Sequence, residues 1–351
     1  MYDGTLVIDS HGHMSTPPEF RGYAYNMIAL RTPSNFHLTA AQMEGALSRH
    51  IRVLDERNID VQMISPRPVA YMHWERPYLV KSWTDTTNEV IAQQCELLPD
   101  RFVGVAQLPQ TPLEDTSNSA DVLERCVREY GFVAADVNPD PGGDRNTPAM
   151  NDPYWYPLYE RSEALNATLI IHPSISRDPR IDPIPHSYQF NNIVEETLAM
   201  MLYIHTDVFD RFPALKIVVC HCGGSLSRLI EHGEASGEQG GGSVGIVSSE
   251  REDHVRDTSA NLFVDSCAYE PNFLATAIKQ YGVDQMVFGT EAPGSGTAIL
   301  NPLTKRPSDD LIPVLETFEF LTNEDRRKIL HDNLLRVFPL LGASRALAGR
   351  I

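Results

Sequence analysis

The sequence lacks an excess of basic residues. Its 29 lysines and arginines stand against 47 aspartates and glutamates, which gives a formal net charge of −18. A chain of that charge repels phosphate backbones and anionic lipid headgroups, so we expect neither nucleic acid nor a membrane as a partner. A small anionic substrate stays compatible with this charge, because a local basic pocket can override the field of the whole protein.

Cysteine and long apolar runs are also scarce. The number of cysteines is odd and their spacing fits no disulfide framework, which predicts reduced thiols and a cytoplasmic location. No apolar run is long enough to cross a membrane, and no apolar leader follows Met1. The five cysteines are Cys95, Cys126, Cys220, Cys222 and Cys267.

Several nucleotide-binding signatures are missing. No Gly-x-Gly-x-x-Gly follows the first apolar run, which weakens a dinucleotide-binding interpretation. The Gly-rich stretch at 236–245 is followed by no Gly-Lys-Ser/Thr, so we interpret it as a flexible surface loop and not as a phosphate loop. With 42% hydrophobic and 22% charged residues and no repeat or linker, residues 1–351 are expected to form a single globular domain.

Eight short apolar runs alternate with segments of helical periodicity. Nearly continuous apolar runs are typical of buried parallel strands, and strand–helix alternation gives right-handed crossovers. We therefore predict an α/β fold, a single (β/α)8 TIM barrel with loop insertions at its C-terminal face at 14–39, 236–259 and 294–308. The predicted strands are 5–13, 61–68, 102–109, 132–140, 168–174, 216–224, 262–269 and 286–293. The predicted helices are 40–58, 83–98, 115–130, 153–166, 192–209, 225–235, 271–281, 309–319 and 323–338.

Four of the apolar runs end in residues that can bind a metal ion. The first ends in His11 and His13, the fifth in His172, the sixth in His221 and the eighth in Glu291. Side chains two apart on a strand point to the same side, so His11 and His13 can face one point in the barrel mouth. Each histidine alone is better explained as a hydrogen-bonded core or surface residue. Four strand ends with suitable donors favour a site for one divalent metal, with zinc preferred.

The segment Cys220-His221-Cys222 looks like a second metal motif. On a strand the two cysteines would share one face and the histidine would take the other. We interpret Cys220 and Cys222 as packing residues, with zinc ligation as the minor alternative.

These residues resemble the metal-dependent amidohydrolase superfamily, in its aminocarboxymuconate-semialdehyde decarboxylase-like branch. The resemblance covers nearly the whole chain and is carried by IDSHGH, IIHPS, PALKIVVCHCGG and VFGTEAPGSG. Much of the branch has Asp where this chain has Glu291, and Glu at that position resembles a smaller group from bacterial aromatic catabolism. That group contains a C–C hydrolase of a dehydrodivanillate ring-fission product and 4-oxalomesaconate hydratase. The HCGGS segment departs from the HGGG that the group tends to have.

The resemblance implies a ligand set and a substrate class. His11, His13, His172 and Glu291 become the metal ligands, and His221 becomes a catalytic residue beside the metal. The implied substrate is a small anionic oxo acid from aromatic ring cleavage. By analogy with the branch, a homodimer or a larger homo-oligomer is implied.

Three reactions fit this pattern, because each needs stabilisation of a delocalised anion. C–C hydrolysis by metal-activated water is the first choice, since GTEAPGSG resembles the hydrolase more than the hydratase. Hydration of an oxo-dicarboxylic acid is the alternative, and nonoxidative decarboxylation is the third. Metal-dependent amide or ester hydrolysis and a non-catalytic binding barrel are retained as other classes.

The roles expected at the reaction centre follow from chemistry. His221 titrates near working pH and is the candidate general acid or base, or else a hydrogen-bonding residue behind the ligands. Glu291 is a candidate catalytic residue as well as a ligand, because its extra methylene lets it shift between metal and proton.

Eight further residues are candidates for substrate binding or for local structure. Arg67 can clamp a carboxylate with two hydrogen bonds or can form a structural ion pair. His73 can reach the substrate from the same loop. Tyr188 can line the pocket or cap a helix, and Tyr269, placed at the end of strand seven, can donate to an oxyanion or pack. Asn191 and Asn192 share the alternatives given for Tyr188, and Asn138 and Asp140 are expected to fix a turn.

Overall fold

The predicted barrel is confirmed by a computed structural model, which describes residues 1–112, 114–226, 258 and 260–351. Eight parallel strands form one sheet in the order β1 to β8. The edges meet through the Ser10 amide, which donates to the Phe288 carbonyl at 2.8 Å, and the Glu291 amide, which donates to the His11 carbonyl at 2.6 Å. The strands are Ile8–His13, Val61–Ser65, Phe102–Ala106, Ala134–Val137, Thr168–Ile171, Ile217–Val219, Leu262–Asp265 and Met286–Val287.

Every strand is shorter than its predicted range. β6 ends at Val219 and β8 at Val287, whereas the sequence predicted strands to 224 and 293. The residues beyond these ends are still buried, so apolar character continues after the ladder stops. Burial therefore gives no signal of the strand end, and the extra residues belong to the loops at the C-terminal face.

The helices cover the outside of the barrel. α1 to α6 span Pro18–Leu30, Ala40–Glu56, Pro77–Leu97, Ser117–Arg125, Tyr156–Leu165 and Ser187–His205. Further helices lie at Val208–Arg211, Pro271–Tyr281, Ile312–Glu316, Asn323–Arg327 and Asn333–Val337, with π-helical turns at Cys126–Tyr130 and Lys328–Asp332. The helix predicted at 225–235 and the Gly-rich segment 236–259 lie, apart from Ser225, Leu226 and Thr258, outside the described residues.

Helix α2 shows how local sequence sets an element. It begins at a capping box, in which the Thr39 side chain accepts from the Gln42 amide and Gln42 reaches back to Thr39. Its buried face contains Met43, Leu47 and Leu54, as the periodicity predicts. Between them the periodicity also places Ile51 on this face, but the structure buries His50 there and leaves Ile51 only partly buried.

The loop insertion at 14–39 contains helix α1. Pro18 occupies its first turn, where a missing amide costs nothing. The helix packs on α3 through Phe20 and Trp83, whose rings lie 4.7 Å apart. α3 itself begins at Pro77, six residues before the predicted start, by the same use of proline.

The C-terminal helices complete the barrel, as predicted. The Phe288 amide donates to the Ile329 carbonyl, and the Asn333 side chain donates to the Met286 carbonyl at 2.8 Å. These contacts tie the end of the chain to the last strand, directly below the loop that carries Glu291.

Candidate metal centre

The four predicted histidines converge at the C-terminal face. His11 and His13 end β1, His172 follows β5, and His221 follows β6. The ring of His11 lies 5.2 Å from His13, 5.1 Å from His172 and 5.2 Å from His221, centre to centre. Imidazoles this close, and almost completely buried except at His221, need either a proton network or a shared ion.

Each of the first three imidazoles is held through its Nδ1 atom. His11 Nδ1 lies 2.6 Å from the Asp265 carboxylate, and His13 Nδ1 lies 2.9 Å from the Ser65 hydroxyl. His172 Nδ1 lies 2.8 Å from the carbonyl of the next residue. A hydrogen bond on one ring nitrogen fixes the orientation of the ring and leaves the other nitrogen for a metal.

The free nitrogens fit a metal. The Nε2 atoms of His11 and His172 are buried and have no hydrogen-bond partner among the described residues, which is costly unless something else binds them. Burial, reinforced by the neighbouring histidines, lowers the pKa of His13 and His172 well below the usual value. Both rings are therefore neutral at neutral pH, which is the form that coordinates divalent metals.

Glu291 closes the group from the loop after β8. Its backbone has a φ of +60°, a left-handed conformation that is costly for a residue other than glycine. One carboxylate oxygen lies 3.9 Å from His13 Nε2. The other accepts hydrogen bonds from the Tyr269 hydroxyl at 2.7 Å and the Ser295 hydroxyl at 3.0 Å. The carboxylate is thus aimed at the imidazoles from one oxygen and anchored by the other.

His221 occupies a turn and not a strand. Its φ of 48° and the φ of 56° at Cys222 are left-handed, so the expected alternation of faces along a strand is wrong here. Cys220 and Cys222 are nevertheless buried packing residues, and all five cysteines are free, as predicted. The turn directs the imidazole into the group, where ligand atoms of His11, His172 and His221 lie within 4.8 Å of one another.

A buried carboxylate stands behind His221. Glu196, on α6, is fully buried and lies 2.6 Å from His221 Nδ1. Burial raises the pKa of Glu196 to about 7. Burial alone would lower the pKa of His221, but the Glu196 carboxylate outweighs it and raises that pKa to about 10. The pair can therefore hold a proton at the rim of the site.

Backbone approaches in this region require glycine. A Cβ at Gly12, between His11 and His13, would lie 2.0 Å from the side chain of Gln62. A Cβ at Gly289 would lie 2.9 Å from the Cβ atoms of both His11 and Asp265. Larger residues at either position would push β1 away from its neighbours and displace the ligands.

The predicted substrate residues divide into three cases. Tyr188 and Tyr269 line a cavity of about 270 Å³ together with His221 and Glu291. Tyr269 is in a loop four residues beyond the end of β7, not at the strand end where it was predicted. Arg67 is partly buried, and no carboxylate of the described residues lies within 4 Å of it. Its Nε atom is buried without a hydrogen-bond partner in that same part of the chain.

His73 differs from the other predicted residues. It is fully buried, with Nε2 3.0 Å from the Leu108 carbonyl and Nδ1 3.3 Å from the Asn138 amide. Its ring stacks on Tyr71 at 4.8 Å. These contacts favour a structural role, and its binding of substrate stays a prediction.

Among the asparagines and the aspartate singled out by the sequence, Asn138, Asp140 and Asn191 make structural hydrogen bonds, whereas Asn192 faces the cavity. The Asn138 side chain accepts from the Asp140 amide, and Asp140 in turn accepts from the Arg145 amide, which confirms the predicted turn. Asn191 donates to the Ser174 carbonyl at 3.0 Å. Asn192 lines the cavity beside Tyr188.

Sequence reasoning missed the carboxylates behind the histidines. Asp265 ends β7, so an acid at the end of a buried apolar run was the available signal. Glu196 carries no such signal, because it lies in the middle of a helix. A third acid, Asp9, accepts from the side chains of Gln62 at 2.7 Å and Thr290 at 2.6 Å and so ties β1 to the loop that carries Glu291.

Comparison with known proteins finds a matching family and similar proteins for this chain. The family described as amidohydrolase matches residues 8–340. The 2-keto-4-carboxy-3-hexenedioate hydratase of Sphingobium sp. is 29% identical over 352 residues, which cover 96% of this chain and 97% of that protein. The crystal structure of 4-oxalomesaconate hydratase from Rhodopseudomonas palustris has 28% identity and a TM-score of 0.82, and the alignment covers 98% of each chain.

A decarboxylase is also similar in sequence, over a shorter aligned length. The gamma-resorcylate decarboxylase of Polaromonas sp. is 28% identical over 261 residues, which cover 70% of this chain and 76% of that protein.

No helix within the described residues has the length and apolar character that a membrane span requires.

Proposed function

This chain belongs to the amidohydrolase family, and from that premise we propose that it is a metal-dependent hydratase of an oxo-dicarboxylic acid. The observation that carries the proposal is the extent of the similarity. In sequence, the Sphingobium hydratase aligns with 96% of this chain, whereas the Polaromonas gamma-resorcylate decarboxylase aligns with 70% of it. Hydration, the alternative at the level of sequence, is therefore better supported than C–C hydrolysis, the first choice there.

We propose that His11, His13, His172 and Glu291 hold one divalent metal, for which zinc is our candidate. The support is the set of three nitrogens and one carboxylate, two of whose nitrogens are buried without a partner among the described residues. A metal bound there would lower the pKa of water and polarise a carbonyl of the substrate. The ligand atom of His221 lies within 4.8 Å of those of His11 and His172, and we leave His221 out of the ligand set for proton transfer.

The chain's own residues would then move the protons. Hydration of a conjugated double bond adds the oxygen of water to one carbon and a proton to the other. Glu291 is our candidate for the base that takes a proton from water, since Tyr269 and Ser295 hold its second oxygen. His221 faces the same cavity and is our candidate for the acid that returns a proton to carbon, with Glu196 holding its ring.

Substrate recognition is assigned to residues at the rim. Arg67 has a cationic side chain with a buried, unpaired Nε among the described residues, which suits a carboxylate of the substrate. Tyr188 offers a hydroxyl donor to a developing enolate oxygen, and Tyr269, whose hydroxyl donates to Glu291 in this structure, lines the same cavity as a second substrate contact. We further propose a small anionic oxo acid as the partner, a homodimer or larger homo-oligomer as the assembly, and the cytoplasm as the location.

Decarboxylation is the second candidate, favoured by the similarity to gamma-resorcylate decarboxylase. Incubations with three kinds of substrate separate the three reactions. With 2-keto-4-carboxy-3-hexenedioate as substrate, we expect mass analysis to find a product heavier by one water and no carbon dioxide. Release of carbon dioxide from this substrate or from gamma-resorcylate would favour decarboxylation, and two carbon fragments from a ring-fission product would favour C–C hydrolysis.

A matched pair of variants tests the role of Glu291. Glu291→Gln keeps the size of the side chain but removes the base, so we expect turnover to fall by about 10²–10⁴-fold. Glu195→Gln makes the same change at a buried glutamate that pairs with Arg145 outside the cavity, and we expect it to retain turnover. Full turnover by Glu291→Gln with metal retained would contradict the assignment.

A further inference from the structure

A second group of ligand atoms adjoins the imidazole cluster. His221, Cys267 and Glu291 each offer one ligand atom, and these three atoms lie within 4.8 Å of one another. Cys267 follows β7, is 4% exposed and lines the same cavity of about 270 Å³. Its thiol makes no hydrogen bond to any described residue, and the hydration chemistry proposed above leaves it unused.

Each member of the group has an atom available. Nδ1 of His221 is engaged by Glu196, which leaves Nε2 for a ligand. Glu291 has one oxygen 3.9 Å from His13 Nε2, while its other oxygen lies on the side of Tyr269 and Ser295. A carboxylate can serve two cations through its two oxygens, and paired metal sites are about 3.5–4 Å apart.

The donor set selects the kind of cation. One nitrogen, one sulfur and one carboxylate oxygen suit thiophilic divalent metals, whereas magnesium and calcium prefer oxygen alone. We propose that His221, Cys267 and Glu291 form a second cation site, which takes Zn²⁺ or Cd²⁺ beside the primary metal and inhibits the enzyme when filled. Binding replaces the thiol proton of Cys267 and the Nε2 proton of His221 by the metal and releases both protons to solvent.

Inhibition follows from the identity of the shared residues. A cation on His221 and Glu291 would occupy the lone pairs that proton transfer needs and would fill the cavity where the substrate enters. The inhibitory part rests on the proposed function, while the binding part does not, because it depends only on the ligand atoms.

Cadmium titration of the zinc-loaded protein tests the binding part. We expect total metal, measured by elemental analysis after dialysis, to rise from one to two per chain, together with an ultraviolet thiolate-to-cadmium absorption band. Cys267→Ser should abolish the band and weaken the second equivalent by at least about 10–100-fold, the loss typical of perturbing a metal's surroundings. Cys95→Ser makes the same change on α3, outside the cavity, and should keep both.

The opposite results overturn the proposal. A band that persists in Cys267→Ser, or a stoichiometry that stays at one in wild type, would show that Cys267 binds no second metal. Cys267→Ala provides a second variant if the serine variant fails to fold. In the activity arm, the second equivalent should inhibit wild type and leave Cys267→Ser uninhibited. A protein that binds the second metal but hydrates no oxo acid would contradict the proposed function and leave the second site standing.

Discussion

Two buried polar regions of this barrel contain histidines, and they differ in what the histidines face. At the metal centre, His11 and His172 each have one nitrogen held and one buried nitrogen without a partner among the described residues. In the region between β2 and α2, His50 has both nitrogens engaged, by Ser15 at 2.9 Å and Gln62 at 2.7 Å. Burial is similar in both regions, so burial does not identify a ligand. The unsatisfied nitrogen does, because a completed hydrogen-bond pair leaves no lone pair for a metal.

The largest effect is expected from removing a histidine of the metal centre. His172→Ala removes one of the unsatisfied nitrogens, and we expect hydratase turnover to fall by at least about 10²–10³-fold, the cost of losing one electrostatic group at a reaction centre. His50→Gln serves as the matched variant and should retain turnover. Equal losses in both variants, measured under saturating substrate, would erase the distinction between the two regions.

The second effect concerns the pH dependence of the free energy of unfolding, to which His50 contributes. Burial lowers the pKa of His50 from 6.5 to about 4, although the hydrogen bond that the Gln62 carbonyl oxygen accepts from the ring opposes this shift. Below pH 6.5 the unfolded chain binds a proton that the folded chain refuses, so stability falls as pH decreases towards 4. The full loss is about 3 kcal/mol.

His50→Gln cannot titrate and supplies the control for that slope. Denaturant unfolding between pH 7 and pH 4 should show a free energy that falls more steeply in wild type than in His50→Gln. Parallel curves would mean that His50 is protonated in the folded protein as readily as in the unfolded chain.

A smaller effect on metal affinity is expected from Asp265, the carboxylate that holds the His11 ring. Asp265→Asn keeps a hydrogen-bond acceptor near His11 Nδ1 but removes the charge, so metal affinity should fall by about 10–100-fold. Asp140→Asn changes another buried aspartate, which fixes the turn after β4, and should leave affinity unchanged. Competition with a chromophoric chelator measures both, and equal affinities would remove Asp265 from the site.

The smallest effect is expected at His73, which belongs with His50 by its contacts. Its nitrogens meet Leu108 and Asn138, so His73→Asn should destabilise the fold by about 1–3 kcal/mol and leave KM unchanged. A large rise in KM without loss of stability would restore His73 to the substrate site, as the sequence predicted.

The barrel and the convergence of its candidate ligands could be predicted from the sequence, because both follow from periodicity. Apolar runs alternate with helical segments, and parallel strands end at one face, so His11, His172 and Glu291 had to meet there. The ends of the strands were less predictable, since buried apolar residues continue past Val219 and Val287 into the loops.

Contacts between segments that are distant in the chain could not be predicted from the sequence. Glu196 reaches His221 from mid-helix across 25 residues, and no spacing rule links them. The left-handed turn at His221 and Cys222 was hidden because the buried Cys220 and Cys222 read as a continuation of the apolar strand. The sequence also left the choice of reaction open, because hydrolase, hydratase and decarboxylase share the need to stabilise an anion and therefore share residues.

The most direct test is the metal content of three purified proteins, prepared without chelators: wild type, His11→Ala and His50→Gln. Elemental analysis should find about one divalent metal per chain in wild type and in His50→Gln, and almost none in His11→Ala. A metal-free wild type, or full metal content in His11→Ala, would contradict the claim that the unsatisfied imidazoles at the barrel mouth form a metal centre.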